Sequence, residues 1–316
     1  MFKILLTDNL DEKAAELLKQ HGLEADVLPT QPREELVRIL PAYHGLGVRS
    51  ATRVDADLLQ AATNLKLVVR GGVGVDNIDV AKAGELGIAV ANTPGANTIA
   101  TAELTFALML ALCRHIVPSM QSLTRGAWKR SQFRGVELFG KTLGILGFGR
   151  IGREVARRAQ AFSMRVLAFD PYLDKSEFVR AGVERSSMEA LIAGADFITL
   201  HLPLTPETQY FINRERIAPM KDGVRIVNTA RGALLDAAAV AEALDSGKIA
   251  GVAVDVYEVE PPPADHPLVG HPKVVCVPHL GANTFEAQSR VAEELAQVFI
   301  DFFVHRKKTN VINAVQ

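Results

Sequence analysis

Short apolar runs alternate with segments of helical periodicity along nearly the whole chain, and they do so in two series. Residues 4–7, 45–48, 67–69 and 88–91 read as strands, and 12–20, 56–62 and 79–86 between them as helices. The pattern restarts with strands at 143–146, 165–169, 197–200, 224–228 and 249–254. Strands that are apolar on both faces and separated by helices pair in parallel beneath helical layers. A long helical stretch from 98 to about 116 precedes the second series, and another, about 284–303, follows it; the two can carry the chain out of one domain and back. The pattern predicts two doubly wound, parallel-sheet α/β domains with a cleft between them. The first comprises residues 1–98 plus 288–316, and the second, 99–287, is inserted into it. A length of 316 residues fits two domains at roughly 150 residues each.

Charge and thiol content narrow the function. Thirty-five basic against 36 acidic residues leave no cationic excess for a polyphosphate backbone, which disfavours a nucleic-acid partner. Two cysteines, Cys113 and Cys276, cannot form a disulfide framework, and a reducing cytoplasm is expected. The N-terminus reads as strand then helix, so no signal peptide is expected. The most lipid-like run, Leu104 to Cys113, is about half the ~20 residues of a membrane span and is closed by Glu103 and Arg114. It is expected to be a buried helix, with no membrane partner.

The most specific local motif is Gly147-Phe148-Gly149-Arg150-Ile151-Gly152, between the strand ending at Leu146 and a helix with apolar Ile151, Val155, Ala159 and Phe162. In that setting one glycine makes the tight turn, one lets the backbone approach a pyrophosphate, and one packs helix on strand. The helix N-terminus offers free N–H groups and its positive dipole end to the phosphates. The next strand ends in Asp170, 18 positions after Gly152, where a carboxylate binds ribose hydroxyls and repels a 2′-phosphate. NAD is therefore favoured over NADP, and the second domain is read as a Rossmann NAD-binding domain.

Three further segments close predicted strands, where doubly wound sheets place their ligands. Arg231 in Asn228-Thr229-Ala230-Arg231-Gly232 has the forked geometry for a carboxylate. The loop Asp255-Val256-Tyr257-Glu258-Val259-Glu260-Pro261-Pro262 offers Glu260, with Glu258 a competitor that spacing does not exclude. His279 in Pro278-His279-Leu280-Gly281-Ala282 is the side chain suited to proton transfer near neutrality, set apart from the other seven histidines by its place between a strand and a helix. No metal site is expected. The residues point to a nucleotide-dependent oxidoreductase with a cation, an acid and a histidine near the nicotinamide, and do not name the substrate.

With these motifs in view, the chain resembles the D-isomer-specific 2-hydroxyacid dehydrogenases. The similarity is dense from Arg49 onward: Arg49-Ser50-Ala51-Thr52, Arg70-Gly71-Gly72-Val73-Gly74-Val75-Asp76-Asn77, Asn92-Thr93-Pro94-Gly95-Ala96-Asn97, and Gly140-Lys141-Thr142-Leu143-Gly144-Ile145-Leu146-Gly147. It continues through the Arg231, Glu260 and His279 segments. Arg49-Ser50-Ala51-Thr52, Gly281-Ala282-Asn283-Thr284 and the tail Asn313-Ala314-Val315 favour the branch that oxidises D-3-phosphoglycerate.

The resemblance implies that His279 takes the hydroxyl proton, Glu260 supports its imidazolium, and Arg231 holds the substrate carboxylate. It implies cofactor contacts at Gly147, Gly149, Arg150, Ile151, Gly152, Asp170, Leu202, Pro203, Thr208, Thr229, Asp255, His279 and Gly281. It implies substrate contacts at Arg49, Ser50, Val73, Gly74 and Arg231 in a flavodoxin-like first domain. The substrate would be a phosphorylated 2-hydroxy acid, with Arg49 the first candidate for its phosphate. Lys129, Arg130 and Arg134, around Trp128, could reach a neighbouring subunit's site or be solvated surface charges. A homodimer through the inserted domain is implied, with the helix Leu104 to Leu112 a candidate part of it. Two features depart from the family. Val73 stands where some members carry a hydroxyl, and the chain ends where longer members continue into regulatory domains, so feedback inhibition by serine through such a domain is not expected. The alternatives are a glyoxylate or hydroxypyruvate reductase on the same scaffold and, more remotely, an NAD-sensing binding protein.

Overall fold

The structure, a computed structural model, describes residues 1–314; Val315 of the tail motif and Gln316 at the expected domain end lie outside the described residues. The chain divides into two compact units, Met1–Asn97 together with the segment from Ala282 onward, and Thr98–Gly281. The second boundary lies six residues before the expected 287/288. Thr284 caps the terminal helix Phe285–Phe303 through a bond from Ala287 N, so helix and cap belong together.

In the first unit, β1 (Lys3–Leu6), α1 (Glu12–Gln20), β2 (Glu24–Val27), α2 (Arg33–Ile39), β3 (Gly45–Val48), α3 (Ala56–Ala61), β4 (Leu67–Arg70), α4 (Val80–Glu85) and β5 (Ala89–Asn92) precede the terminal helix. The strands pair in parallel in the order β2-β1-β3-β4-β5. Alternate side chains point to opposite faces. Ile4, Leu6, Leu67 and Val69 pack with Leu18, Leu295 and Phe299, whereas Leu5, Leu46, Val48 and Val68 pack with Leu36, Leu58 and Leu59. Gly45 sits against the first of these faces; a Cβ there would overlap Ile4 and Phe299. Because β1 lies between β2 and β3, the strand order reverses beside β1, and in such sheets ligands bind outside the carboxyl ends at that reversal.

The second unit runs α5 (Thr98–Cys113), α6 (Ile116–Thr124), β6 (Thr142–Leu146), α7 (Arg150–Ala161), β7 (Arg165–Phe169), α8 (Lys175–Arg180), β8 (Glu184–Arg185), α9 (Met188–Gly194), β9 (Phe197–Leu200), α10 (Arg214–Ile217), β10 (Val224–Asn228), α11 (Ala237–Asp245), β11 (Ile249–Val254) and β12 (Val274–Cys276). Its parallel sheet has the order β12-β11-β10-β9-β6-β7-β8, which places the reversal between β6 and β9.

The expected strands are all present within about a residue, and three others are added. β2, β8 and β12 are edge or near-edge strands that are short or carry acids, so periodicity does not mark them. The helix expected over 98–116 stops at Cys113, His115 takes a left-handed backbone (φ 52°), and α6 starts anew at Ile116. Pro118 explains the break, because its ring would collide with the carbonyl four residues back in a continuous helix but is tolerated in a first turn. α5 buries Phe106, Leu108, Met109 and Leu112 in the core of its own unit. Among the described residues no single helix is long and apolar enough to cross a membrane.

Candidate functional site

The glycine motif turns the chain from β6 into α7. Gly147 has φ 92°, and a Cβ on it would press on the His201 carbonyl; one on Gly152 would overlap the Gly147 carbonyl. Phe148 locks the turn by burying its ring, stacked on Phe178 at 4.9 Å. Gly149 is the N-cap of α7, has no side-chain cap, and faces open space where a Cβ would meet nothing within 4 Å. Uncapped amides at the head of a twelve-residue helix, with room above a glycine, fit a bound pyrophosphate. Arg150 opens the helix exposed, and Ile151 packs on the core below.

Asp170 follows the neighbouring strand with both oxygens directed by backbone, Oδ2 accepting from Phe148 N and Oδ1 from Tyr172 N, each at 3.0 Å. Its carboxylate is thereby fixed beside the glycine turn, as ribose binding requires. After β9, Leu202 is buried in the core, Pro203 is exposed, and the Thr208 hydroxyl donates to the Pro203 carbonyl at 2.7 Å, rigidifying that loop.

The proton-transfer candidates meet after β11 and β12. His279 Nδ1 and Glu260 Oε2 are 2.6 Å apart, and Glu260 Oε1 accepts from Tyr257 N at 3.0 Å. The competitor Glu258 instead accepts from the Tyr210 hydroxyl at 2.7 Å. Burial raises the Glu260 pKa, but the bonds from His279 and Tyr257, with the Arg231 charge, outweigh it and hold the carboxyl below its ordinary range. With Nδ1 engaged, His279 keeps Nε2 for another partner. Its backbone is left-handed (φ 52°), a conformation sparsely populated by residues other than glycine.

Asp255 accounts for that conformation. Its carbonyl accepts from His279 N at 2.9 Å, and its carboxylate accepts from Leu280 N and, at 2.9 Å, Gly281 N. Burial pushes its pKa up to about 6 despite these bonds. The Gly281 carbonyl accepts from the Thr101 hydroxyl, and the Thr229 and Thr105 hydroxyls bond at 2.9 Å. Thr229 and Asp255 are thus both buried and internally engaged.

Arg231 follows β10 on a turn closed by Asn228, whose side chain accepts from Ala230 N and donates to the Arg231 carbonyl. Gly232 lies so close to the Tyr257–Glu258 backbone that a Cβ would overlap it, which ties the Arg231 turn to the Glu260 loop.

The remaining substrate-contact candidates belong to the first unit. Arg49 and exposed Ser50 follow β3, while exposed Val73 and half-buried Gly74 follow β4. The Val73 carbonyl accepts from Asn92 Nδ2 at 2.6 Å. Arg70, absent from the sequence-derived site, ends β4 in register with Val48, the residue before Arg49. Two cations therefore close adjacent strands. The signal was the Gly71-Gly72 pair after it, since a side chain on Gly72 (φ 142°) would strike the Arg70 guanidinium. In the second unit Lys129, Arg130 and Arg134 are exposed, as is Trp128 at 77%. No cluster of metal-ligating side chains occurs among the described residues.

These glycine contacts make opposite demands. Gly232→Ala should cost roughly 1–3 kcal/mol by forcing two backbones apart, whereas Gly149→Ala, in open space, should stay within about 0.5 kcal/mol; urea unfolding followed by far-UV circular dichroism checks both.

The family model described as the D-isomer specific 2-hydroxyacid dehydrogenase, NAD binding domain, matches residues 106–281. The chain is 45% identical over 311 residues to D-3-phosphoglycerate dehydrogenase of Archaeoglobus fulgidus, covering 98% of this chain and 59% of that protein. It is 47% identical over 299 residues to hydroxypyruvate reductase of Thermotoga maritima, covering 94% and 96%. It thus spans about three-fifths of the first relative and nearly all of the second. Among solved structures, NAD-dependent formate dehydrogenase from Staphylococcus aureus in complex with NAD matches with a TM-score of 0.86 and 32% identity over the whole of both chains. The second unit is the NAD-binding domain, and the chain belongs to the D-isomer-specific 2-hydroxyacid dehydrogenases.

Proposed function

We propose that the chain oxidises D-3-phosphoglycerate to 3-phosphohydroxypyruvate with NAD. The observation that carries the chemistry is the His279–Glu260 pair, whose 2.6 Å bond leaves Nε2 as the ring's free nitrogen. NAD, when bound, supplies the acceptor for the C2 hydride. Gly147, Gly149, Gly152 and the α7 amides hold its pyrophosphate, and Asp170 its ribose. His279 Nε2 takes the proton of the C2 hydroxyl. Glu260, ionised at neutral pH, stabilises the resulting imidazolium, and Arg231 holds the substrate carboxylate. Arg49 and Arg70, at the ends of adjacent strands, supply the charge that a 3-phosphate needs.

The similarity to D-3-phosphoglycerate dehydrogenases supports this substrate. A second reading, hydroxypyruvate reduction, is favoured by the near end-to-end match with the Thermotoga maritima protein. NAD reduction with D-3-phosphoglycerate, D-glycerate and D-lactate, and NADH oxidation with hydroxypyruvate, separate the two. A kcat/KM roughly a hundredfold higher for the phosphorylated acid, about 2.7 kcal/mol, supports the first; no phosphate preference with rapid hydroxypyruvate turnover supports the second. In either, His279→Gln should lower kcat by about 10²–10⁴-fold and leave NAD affinity, read by titration, near its original value.

The acid can be assigned by substitution. Glu260, held ionised, bonds His279 Nδ1, whereas Glu258 bonds the Tyr210 hydroxyl. Glu260→Gln should therefore lower kcat in both directions by about tenfold or more, the scale of a charge-assisted hydrogen bond, whereas Glu258→Gln should leave both rates in place.

We further infer a cytoplasmic homodimer. Cys113 and Cys276 are free thiols, which suits a reducing compartment. α5 turns its large side chains inward, so the more suitable surface is α6, where Ile116, Met120 and Leu123 are each more than half exposed at helical spacing. Light scattering should report a dimer, and Met120→Lys should shift it toward monomer.

A further inference from the structure

Resting on the phosphate reading, we propose that Asp8 and Asn77 are positioning residues that fix the Arg49–Thr52 segment and so set the preference for a phosphorylated over an unphosphorylated 2-hydroxy acid. Asp8 follows β1 and Arg49 follows β3, on either side of the strand-order reversal of the first sheet, the place where a doubly wound sheet binds its ligand. Asp8 is 5% exposed and is spent entirely on this segment. Its Oδ2 accepts from Arg49 N and Thr52 N, each at 2.9 Å, and its Oδ1 from the Thr52 hydroxyl at 2.6 Å. To aim the carboxylate there, Asp8 and Asn9 both take left-handed backbones (φ 61° and 54°), a region that Asp and Asn enter more readily than most residues.

Asn77 grips the same segment from the opposite polarity. Its Nδ2 donates to the carbonyls of Arg49 and Thr52, both at 2.7 Å. The acid thus takes the N–H groups of residues 49 and 52 while the amide takes their carbonyls. Val54 N donates to the Asn77 carbonyl, Asp79 N to that of Val54, and Gly71 N to that of Val48. The chain after β3 and the chain after β4 therefore form one bonded frame carrying Arg49, Arg70, Val73 and Gly74. A local turn at 49–52 needs no partner 44 residues away to hold it; what the frame adds is a fixed origin for the Arg49 side chain. Burial lowers the Arg49 pKa and the Asp8 charge opposes that, so the acid also favours the cation it positions.

The test measures kcat and KM for D-3-phosphoglycerate and D-lactate, with NAD affinity by titration, in Arg49→Ala, Asp8→Ala, Asp8→Asn and Asn77→Asp. Asn77→Asp sets a carboxylate against two carbonyls, and Asp8→Ala removes three acceptors. Each should raise KM for the phosphorylated acid roughly tenfold or more, the scale of charge-assisted hydrogen bonds, with kcat, NAD affinity and D-lactate turnover unchanged. Asp8→Asn should recover most of the loss, since a carboxamide oxygen can still accept from both amides while its NH₂ donates to the Thr52 hydroxyl. If Asp8→Ala does not fold, half-buried Asn77 carries the test alone. Equal losses on both substrates, or none on either, overturn the proposal. If Arg49→Ala abolishes the phosphate preference while Asn77→Asp retains it, only the positioning claim falls. If Arg49→Ala retains that preference, the phosphate reading falls and this proposal with it.

Discussion

Two parallel strands cannot be joined by a tight turn; the chain must cross the sheet and start again from the same end. Both sheets of this protein are parallel throughout. Every strand therefore releases its chain at the same edge, and the residues after each strand gather there whatever their distance in sequence. Gly147 after β6, Asp170 after β7, Arg231 after β10, Asp255 after β11 and His279 beyond β12 share one edge for that reason. Asp8, Arg49 and Arg70 share the corresponding edge of the other sheet.

Once gathered, the second unit's site is set by two carboxylates pushed in opposite directions. Glu260 stays ionised because His279, a backbone amide and Arg231 oppose its burial. Asp255 is more deeply placed, and burial wins, carrying its pKa to about 6. An acid whose folded pKa lies above its ordinary value stabilises the fold fully at low pH and loses that contribution as pH rises through about 6. Near neutrality Asp255 is therefore held ionised at a cost, offset by the amides of Leu280 and Gly281. That cost has a local result: the His279 backbone is kept in a sparsely populated conformation that turns its ring toward Glu260. The pairing is a consequence of a buried carboxylate next to it in the sheet.

The first unit also places an acid against backbone amides after a neighbouring strand. Asp8 is buried against amides and a nearby cation, and Asn77 supplies the donors that match the Arg49 and Thr52 carbonyls. In both units an acid after one strand accepts from backbone amides after another.

Local features were legible in the residues themselves. The strands of the sheet interiors are continuous apolar runs, and the glycine turn and Asp170 lie within one β-α-β unit, so spacing along the chain locates them. The Glu24–Val27 and Val274–Cys276 strands escaped because an edge strand need not be apolar on both faces. The helix break at His115 had its sign in Pro118, which an apolar run concealed. The choice of Glu260 over Glu258 was not decidable from spacing, since both acids share a loop. Folding decides it by giving Glu258 to Tyr210, 48 residues away, and Glu260 to His279, 19 residues away. Arg70 and Asp8 went unseen for the same reason: their partners lie on other strands. By itself the sequence determined the interior strands, most of the helices and the glycine-rich turn after β6, because those follow from local periodicity and backbone freedom. Only the tertiary structure decided which charged side chains meet, because hydrogen bonds between strand ends depend on the order in which the strands pair.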